Sequence, residues 1–397
     1  MIPRAEILEA SRAWGLRPEV VEKDYVLGWL LFGLGSEPQI QREWIFKGGT
    51  CIKKCFVETY RFSEDLDFTL TPEATRDPEA LTLRLRQVCV RLTEATGIEF
   101  PPDLIRFESN PNKRGGLTLR GKVAYRGPLQ IPSLPRIQFD LTTDELIVRP
   151  PILRPFFHPY SDVQQVMPGL RCYPIEEVIA EKTRALAERA APRDLYDIVR
   201  LFRSQAYQLT PAVIGEILIQ KCAHRHIPVP TFATVQASQR YAELESEWAN
   251  MLGHQLPQLP ALADYLEPIA QYFDWLAGAT APDLPRVSVP QGISVDLAWR
   301  PNEYMSMPSA WGVAAPVEAI RFAGANRLCI ELDYQAREGA QGVRLVEPYS
   351  FRISKAGDLL FFGLNVEKQQ IRAYRFDRIV DVKVTTQSFR PRWRIEF

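Results

Sequence analysis

No charge of one sign prevails in this sequence: Lys and Arg number 48, and Asp and Glu number 48. That balance excludes a chain-wide basic or acidic field as the basis of nucleic-acid or membrane binding and leaves only local charge for such work. Cysteine is sparse. The six residues, Cys51, Cys55, Cys89, Cys172, Cys222 and Cys329, form no paired framework, which excludes a disulfide scaffold and points to a reducing cytoplasm. Met1 to Leu16 carries charges throughout and lacks the apolar centre of a signal peptide. The apolar run Tyr25 to Leu34 is too short to span a bilayer, so no membrane partner is expected. Cys222, His224 and His226 in "QKCAHRHIPV" match no zinc spacing and lack a fourth ligand. Internal repeats and low-complexity tracts are missing as well.

What is present suffices for sizeable cores. A chain of 397 residues with 46% hydrophobic composition is expected to form two or three domains. Apolar residues recur at helical spacing over 5–16 (Ile7, Ala10, Trp14) and 19–34 (Val21, Tyr25, Trp29, Phe32). Glu43 to Phe46 reads as a short extended lead-in, and Thr50 to Phe56 as a helix that begins at Gly48-Gly49. Asp65 to Leu70 alternates as a strand. Pro78 to Thr96 is an amphipathic helix with Asp77 as N-cap and Gly97 at its end. Strands follow at Gly116 to Tyr125 and Arg136 to Leu141, then helices at Ile175 to Ala190, from Pro192 through Phe202, and over most of 211–275. Ala277 to Gly292, rich in Pro, Gly and small residues, reads as a linker. Beyond it, a helix near Val317 to Ala325 and strands at Leu328 to Tyr334, Arg344 to Ile353, Asp358 to Leu364, Gln370 to Arg375 and Ile379 to Thr385 make a small β domain.

The densest chemistry lies in "FKGGTCIKKCFVETYRFSEDLDFTL", Phe46 to Leu70. Strand alternation puts Asp65 and Asp67 on one face and Leu66, Phe68 and Leu70 on the other. Carboxylates held side by side repel each other and call for a cation, and oxygen ligands in a partly solvated cleft suit Mg²⁺. In "RIQFDLTTDE", Asp140 shares a face with Gln138, opposite Ile137, Phe139 and Leu141. On a neighbouring strand it can complete a two-metal site, with ions about 3.5–4 Å apart stabilising an in-line phosphoryl displacement. Gly48, Gly49 and Thr50 at a helix start offer backbone N–H groups and a dipole to a triphosphate, with Lys47 just before them. Arg61 either steadies the carboxylates or a phosphate, or is a plain salt bridge; Ser63 either bonds a phosphate or caps the turn. Glu64 falls on the side of Leu66 and is expected to be dispensable for chemistry.

Together "EKDYVLGWLL", "FKGGTCIKK", "RFSEDLDF" and "EKTRALAERAAPRDLYDI" resemble the AbiEii/MenT group of nucleotidyltransferase toxins, in that order and over about residues 15–205. The resemblance implies a DNA polymerase β-like nucleotidyltransferase core. It assigns nucleotide and metal binding to Gly48, Gly49, Thr50, Ser63, Asp65 and Asp67, and adds Lys182 and Asp194, with Asp197 nearby. It also implies an NTP as substrate, an RNA acceptor with the tRNA 3′ end as the known case, a cognate antitoxin, and defence against phage. From spacing alone, Lys182 is either a point charge on a phosphate or one cation of a solvated helix, and Asp197 is equally a structural partner of Arg193 or Arg200.

Two basic stretches bear on partners. Lys113, Arg114, Arg120, Lys122 and Arg126 form a strip beside the acidic strands, suited to the phosphates of a polynucleotide or simply to guarding an edge strand. At the other end, "AIRFAGANRLCIELDYQ", "RLVEPYSFRI" and "QIRAYRFDRIVDVKV" resemble the WYL domain, an SH3-like β module, over about 316–397. The Trp-Tyr-Leu tripeptide is replaced by Leu359, Leu360 and Phe361. Arg352, Arg372, Arg375 and Arg378 form either a nucleotide- or nucleic-acid-binding surface or salt bridges with Glu347 and Asp377.

The expected fold class is α+β: a nucleotidyltransferase core (1–160), a helical subdomain completing the site (161–278), a linker (279–300) and a WYL-like β domain (301–397). The expected function is a Mg²⁺-dependent nucleotidyltransferase toxin acting on RNA. The alternatives are a nucleotide- or nucleic-acid-sensing regulator, against which the lack of a helix-turn-helix weighs, and a transferase that modifies a protein or small molecule.

Overall fold

The alternating stretches of the sequence become strands of two separate sheets. The computed structural model describes all residues except 59–60, 112–115, 164–167, 205–206, 282, 297, 300–313 and 337–338, so Lys113 and Arg114 of the basic strip lie outside the described residues. The chain divides into two compact units. One comprises Met1–Arg12, Leu16–Arg184 and Val213–Val229; the other comprises Ala13–Gly15, Ala185–Ala212 and Pro230–Phe397.

The first unit contains α1 (Arg4–Trp14, apart from its last two residues), α2 (Pro18–Gly35), α3 (Pro38–Glu43), β1 (Trp44–Lys47), α4 (Gly48–Cys51), β2 (Asp65–Leu70), α5 (Pro78–Thr96), β3 (Ile105–Pro111), β4 (Leu117–Ala124), β5 (Arg136–Thr142), β6 (Ile152–Arg154), β7 (Leu170–Cys172), the first part of α6 (Ile175–Arg189) and, after α7 (Pro192–Phe202) of the other unit, α8 (Pro211–His224). Its mixed sheet has the order β3-β4-β5-β2-β1-β7-β6. Phe46, Leu66, Phe68, Phe139 and Leu141 are fully buried, as alternation requires when one face of a sheet is covered. The apolar run at Tyr25 is the interior of α2, with Val26, Leu27, Leu30 and Leu31 buried. No helix among the described residues is long and apolar enough to cross a membrane. Helix α5 begins where Asp77 accepts from the N–H groups of Glu79 and Ala80, and it ends at Gly97 with φ +76°.

The second unit contains the rest of α6, α7, α9 (Phe232–Gln236), α10 (Glu243–Leu252), α11 (Ala263–Leu276), α12 (Ala314–Asn326), β8 (Leu328–Gln335), β9 (Gln341–Ile353), β10 (Leu359–Asn365), β11 (Gln370–Arg375) and β12 (Ile379–Ser388). The five strands form an antiparallel sheet, β11-β10-β9-β8-β12. The stretch read as a linker is anchored to that sheet through its described residues. Val287 and Val295 pack with Tyr349, Leu360, Phe362 and Leu364, and the carbonyl of Pro285 accepts from the N–H of Arg394 at 2.8 Å. Proline and glycine mark an irregular backbone here, while the valines between them supply apolar anchors.

Candidate active site

Four charged side chains stand in one row across the first unit's sheet. Lys47 pairs in register with Asp67 across β1 and β2, Asp67 with Asp140 across β2 and β5, and Asp140 with Arg120 across β5 and β4. Directly opposed residues project from the same face, so the order Lys-Asp-Asp-Arg follows from register alone. Asp65 lies two residues before Asp67 on that face. Leu66 and Phe68, on the other face, bury completely and hold the strand down.

Burial perturbs the charges of the row. Burial pushes the Asp67 carboxyl up to about 6; Lys47 and Lys182 oppose this, while Asp140 and Asp65 add to it. Lys182, on α6, therefore acts on the carboxylate pair. Burial would lower Lys47, but Glu145, Glu181 and Asp67 outweigh it and keep the ammonium charged. Lys47 is ion-paired with Glu145, which also accepts from the Thr69 hydroxyl at 3.0 Å. Three carboxylates, Asp65, Asp67 and Asp140, thus share one face, with Asp67 resisting ionisation.

The glycine turn closes on this row. Gly48 has φ +79°, and a methyl on it would overlap the Asp67 carboxylate. A methyl on Gly49 would overlap the Arg61 guanidinium, with Ser63 Oγ beside it. Arg61 is only 2% exposed. Arg61 and Ser63 thus back the turn from inside. Helix α4 starts with no side-chain cap on its N–H groups and widens into a π turn over Ile52–Phe56. The Thr50 hydroxyl donates to the Asp65 carbonyl, so Thr50, buried at 1% exposure, ties the glycine turn to the acidic strand.

The remaining candidates divide. Asp194 lies in the second unit and is fully buried; both of its oxygens accept from Arg189, at 2.7 and 3.0 Å. Asp197 is buried in α7 of the same unit. Glu64 is ion-paired with Lys23 at 2.8 Å. Lys122 stands opposite Gln138 on the strip, Arg120 pairs with Asp140 at 3.4 Å, and Arg126 pairs with Glu99 at 3.3 Å. Of the β-domain arginines, Arg375 pairs with Asp358 and Asp377, each at 3.0 Å, Arg352 with Glu396 at 3.3 Å, and Arg372 bonds Gln370. Glu347 accepts from the Tyr349 hydroxyl.

Sequence reading missed a second layer of charges. Lys221, 2% exposed, bridges Glu177 at 3.0 Å and Glu181 at 3.3 Å, and Arg225 reaches Asp144 at 2.8 Å and Glu145 at 3.7 Å. Burial would raise Glu181, but Lys221, Arg184 and Lys47 hold it below the carboxylate range. Glu145 follows Asp140 within "DLTTDE", the signal that could have marked it. Cys51 and Cys55 are buried, and Cys172 joins them with the three sulfurs within 4.8 Å of one another. His224 instead meets the Asp144 carbonyl at 2.8 Å.

Comparison with known proteins shows the family. The model of the nucleotidyl transferase AbiEii toxin family (Type IV TA system) matches residues 29–279, and that of the WYL domain matches residues 316–384. MenT4, a nucleotidyltransferase toxin from Mycobacterium tuberculosis H37Rv, superposes with a TM-score of 0.50 at 19% identity, covering 71% of this chain and 91% of that one. At that identity the likeness speaks for the fold. Proteasome accessory factor B/C (PafBC) of Arthrobacter aurescens matches with a TM-score of 0.19 at 18% identity over 53% of this chain and 32% of that one, too low to carry an argument. No curated protein matches the chain.

Proposed function

The chain belongs to the AbiEii family of nucleotidyl transferase toxins and is a nucleotidyltransferase with an NTP substrate and an antitoxin partner; we propose that it moves a nucleotide from the NTP to the 3′ end of an RNA, tRNA being the acceptor of choice. The observation that carries this reading is the in-register pair Asp67 and Asp140 beside Gly48. Mg²⁺ would be held by Asp65, Asp67 and Asp140, and when bound would supply charge neutralisation at the α-phosphate. Around it the chain's own groups position the reactants. The uncapped N–H groups of Gly48 and Gly49 donate to phosphate oxygens. Lys182, whose charge reaches Asp67, serves the triphosphate. Arg61, Ser63 and Thr50 keep the turn and strand rigid, and alignment of this kind is a large part of phosphoryl-transfer catalysis. Asp140 orients the attacking hydroxyl. Arg120, with its side chain 65% exposed, and Lys122 take phosphates of the acceptor strand. We assign Asp194 to the fold of the second unit, where Arg189 holds it. The β domain recruits or senses a nucleotide or nucleic acid. The setting is the cytoplasm of a cell under phage attack.

The test incubates the protein with Mg²⁺, each labelled NTP and total tRNA, beside an Asp65→Ala/Asp67→Ala variant. Label on RNA that vanishes in the variant supports the proposal. Label on protein instead replaces RNA as the acceptor. Nucleotide binding without transfer to any acceptor overturns it.

A further inference from the structure

The second unit holds a positive centre that nucleotidyl transfer does not use. Arg200 lies on α7, Arg203 caps its C-terminal end, and Arg327 follows α12. The Arg203 guanidinium sits over the Tyr265 ring at 5.0 Å, and its Nη2 donates to the Asp264 carbonyl at 2.7 Å. Its Nη1 is buried and has no hydrogen-bond partner among the described residues. Arg327 Nη1 donates to the Gly324 carbonyl at 3.0 Å. Among the described residues, neither Arg203 nor Arg327 forms an ion pair with a carboxylate.

Tyr196 and Tyr265 stack at 5.4 Å, and both hydroxyls donate to Asn326 Oδ1, at 3.0 and 2.7 Å. The hydroxyl donors of that stacked pair are spent on Asn326. Burial lowers Arg327 well below its ordinary range, and Arg203 and Arg200 lower it further. Burial lowers Arg203 too, with Tyr265 and Asp264 opposing and Arg200 adding to it. Arg327 also holds φ +60°, a conformation that L side chains rarely adopt and that persists where the surroundings impose it. Crowded arginines with a spare donor match a doubly charged tetrahedral anion. One carboxylate would leave excess positive charge, whereas a phosphate offers several acceptor oxygens to planar guanidinium forks.

We propose that Arg203 and Arg327, with Arg200 beside them, form a binding site for a phosphate dianion, free or carried by a small molecule. The site lies at the junction of α7, α11 and α12, within the second unit. Occupation relieves the mutual repulsion and ties the end of α7 to the start of β8.

Thermal unfolding of the full chain tests this. It is run in EDTA, to silence metal-dependent nucleotide binding, at constant ionic strength, with inorganic phosphate or AMP as the probe. Wild-type protein is expected to gain about 2 °C at ten times the dissociation constant. Lys182→Gln, which alters only the transfer site, keeps that gain, whereas Arg203→Gln and Arg327→Gln lose it. Without phosphate, Arg327→Gln is at least as stable as wild type, because a repelling charge is gone; a merely structural arginine would be missed equally in both buffers. A larger gain with AMP assigns the phosphate to a nucleotide, and an equal gain to the free ion. No gain in wild type, or equal gains in all four proteins, overturns the proposal. If Arg327→Gln does not fold, Arg203→Gln carries the comparison.

Discussion

Asp67 and Asp140 stand opposite each other in register on adjacent parallel strands, with Lys47 flanking the first and Arg120 the second. Two carboxylates so placed are a liability without a cation and an asset with one. Asp67→Asn should therefore separate stability from function. Nucleotide transfer should fall by about a hundredfold or more, the scale on which charge-stabilising groups act. The metal-free variant should unfold no earlier than wild type, because the neutral amide removes the charge that burial, Asp140 and Asp65 disfavour. Transfer assays beside urea unfolding in EDTA decide it. Loss of both together would make Asp67 a structural residue.

Gly48 and Gly97 share nearly the same backbone, with φ +79° and +76°, in different surroundings. A methyl on Gly97 meets nothing within 4 Å, whereas one on Gly48 runs into the Asp67 carboxylate. Gly97→Ala should cost about 1 kcal/mol of left-handed strain and leave transfer intact. Gly48→Ala should pay the same strain and displace Asp67, removing most activity even in the folded fraction. Equal activity in the two variants would mean the glycine turn does not set the carboxylate's position.

Thr50 offers a cleaner probe of that turn. Its hydroxyl reaches the backbone of Asp65, so Thr50→Val keeps the shape and leaves a carbonyl without its donor. A loss of about 1–3 kcal/mol in stability is expected, with a tenfold or greater fall in transfer as β2 loosens. Thr50→Ser retains both. A serine variant as inactive as the valine one would point to the methyl, not the hydroxyl.

Much of this site was legible because its logic is local. Alternation alone put Asp65 and Asp67 on one face and separated Asp140 from Phe139, and the structure keeps both assignments. Pairings across long sequence distances were not legible. Lys47 meets Glu145, 98 residues away, and no periodicity marks such a partner. Lys182 entered through resemblance, and only the packing of α6 brings its charge to Asp67. Strand β3 went unnoticed because Ile105 and Phe107 are its only buried residues before a polar run, and β6 and β7 have just three residues each. The composition of the stretch read as a linker said nothing of the valines that anchor it.

Part of what resembles catalytic machinery is architecture. In "EKDY", Asp24 pairs with Lys54 at 2.7 Å, with side chains 2% and 1% exposed, and accepts from the Tyr160 hydroxyl at 3.0 Å. Removing one partner of a buried pair strands the other charge. Asp24→Ala or Lys54→Ala should each cost about 3–5 kcal/mol. Asp24→Leu with Lys54→Met should recover much of the loss, because both charges leave together. Chemical unfolding of the three variants measures the coupling; simple additivity of the two single losses would show that the pair does not act as a unit.

His158 gives the fold an acid limit. Its side chain is 0% exposed, its Nε2 lies 3.3 Å from Asp162, and its Nδ1 is buried beside Gly28 with no hydrogen-bond partner among the described residues. Tyr25, Trp29 and Tyr160 enclose the ring at 5.5, 5.5 and 4.9 Å. Burial lowers its pKa; Asp162 and Asp24 oppose this and Lys54 adds to it. The sign follows from linkage. The unfolded imidazole takes a proton near pH 6.5, and the folded one takes it only at lower pH, so the unfolded chain binds more protons in between. This contribution is fully present above about pH 6.5 and is lost as pH falls below it, by at most about 1.4 kcal/mol per pH unit for one group. His158→Phe keeps an aromatic ring in the box and removes the proton site. Urea midpoints at pH 5 and pH 7.5 should differ less in this variant than in wild type, with the difference attributable to His158. An identical pH dependence in both proteins would place the acid limit elsewhere.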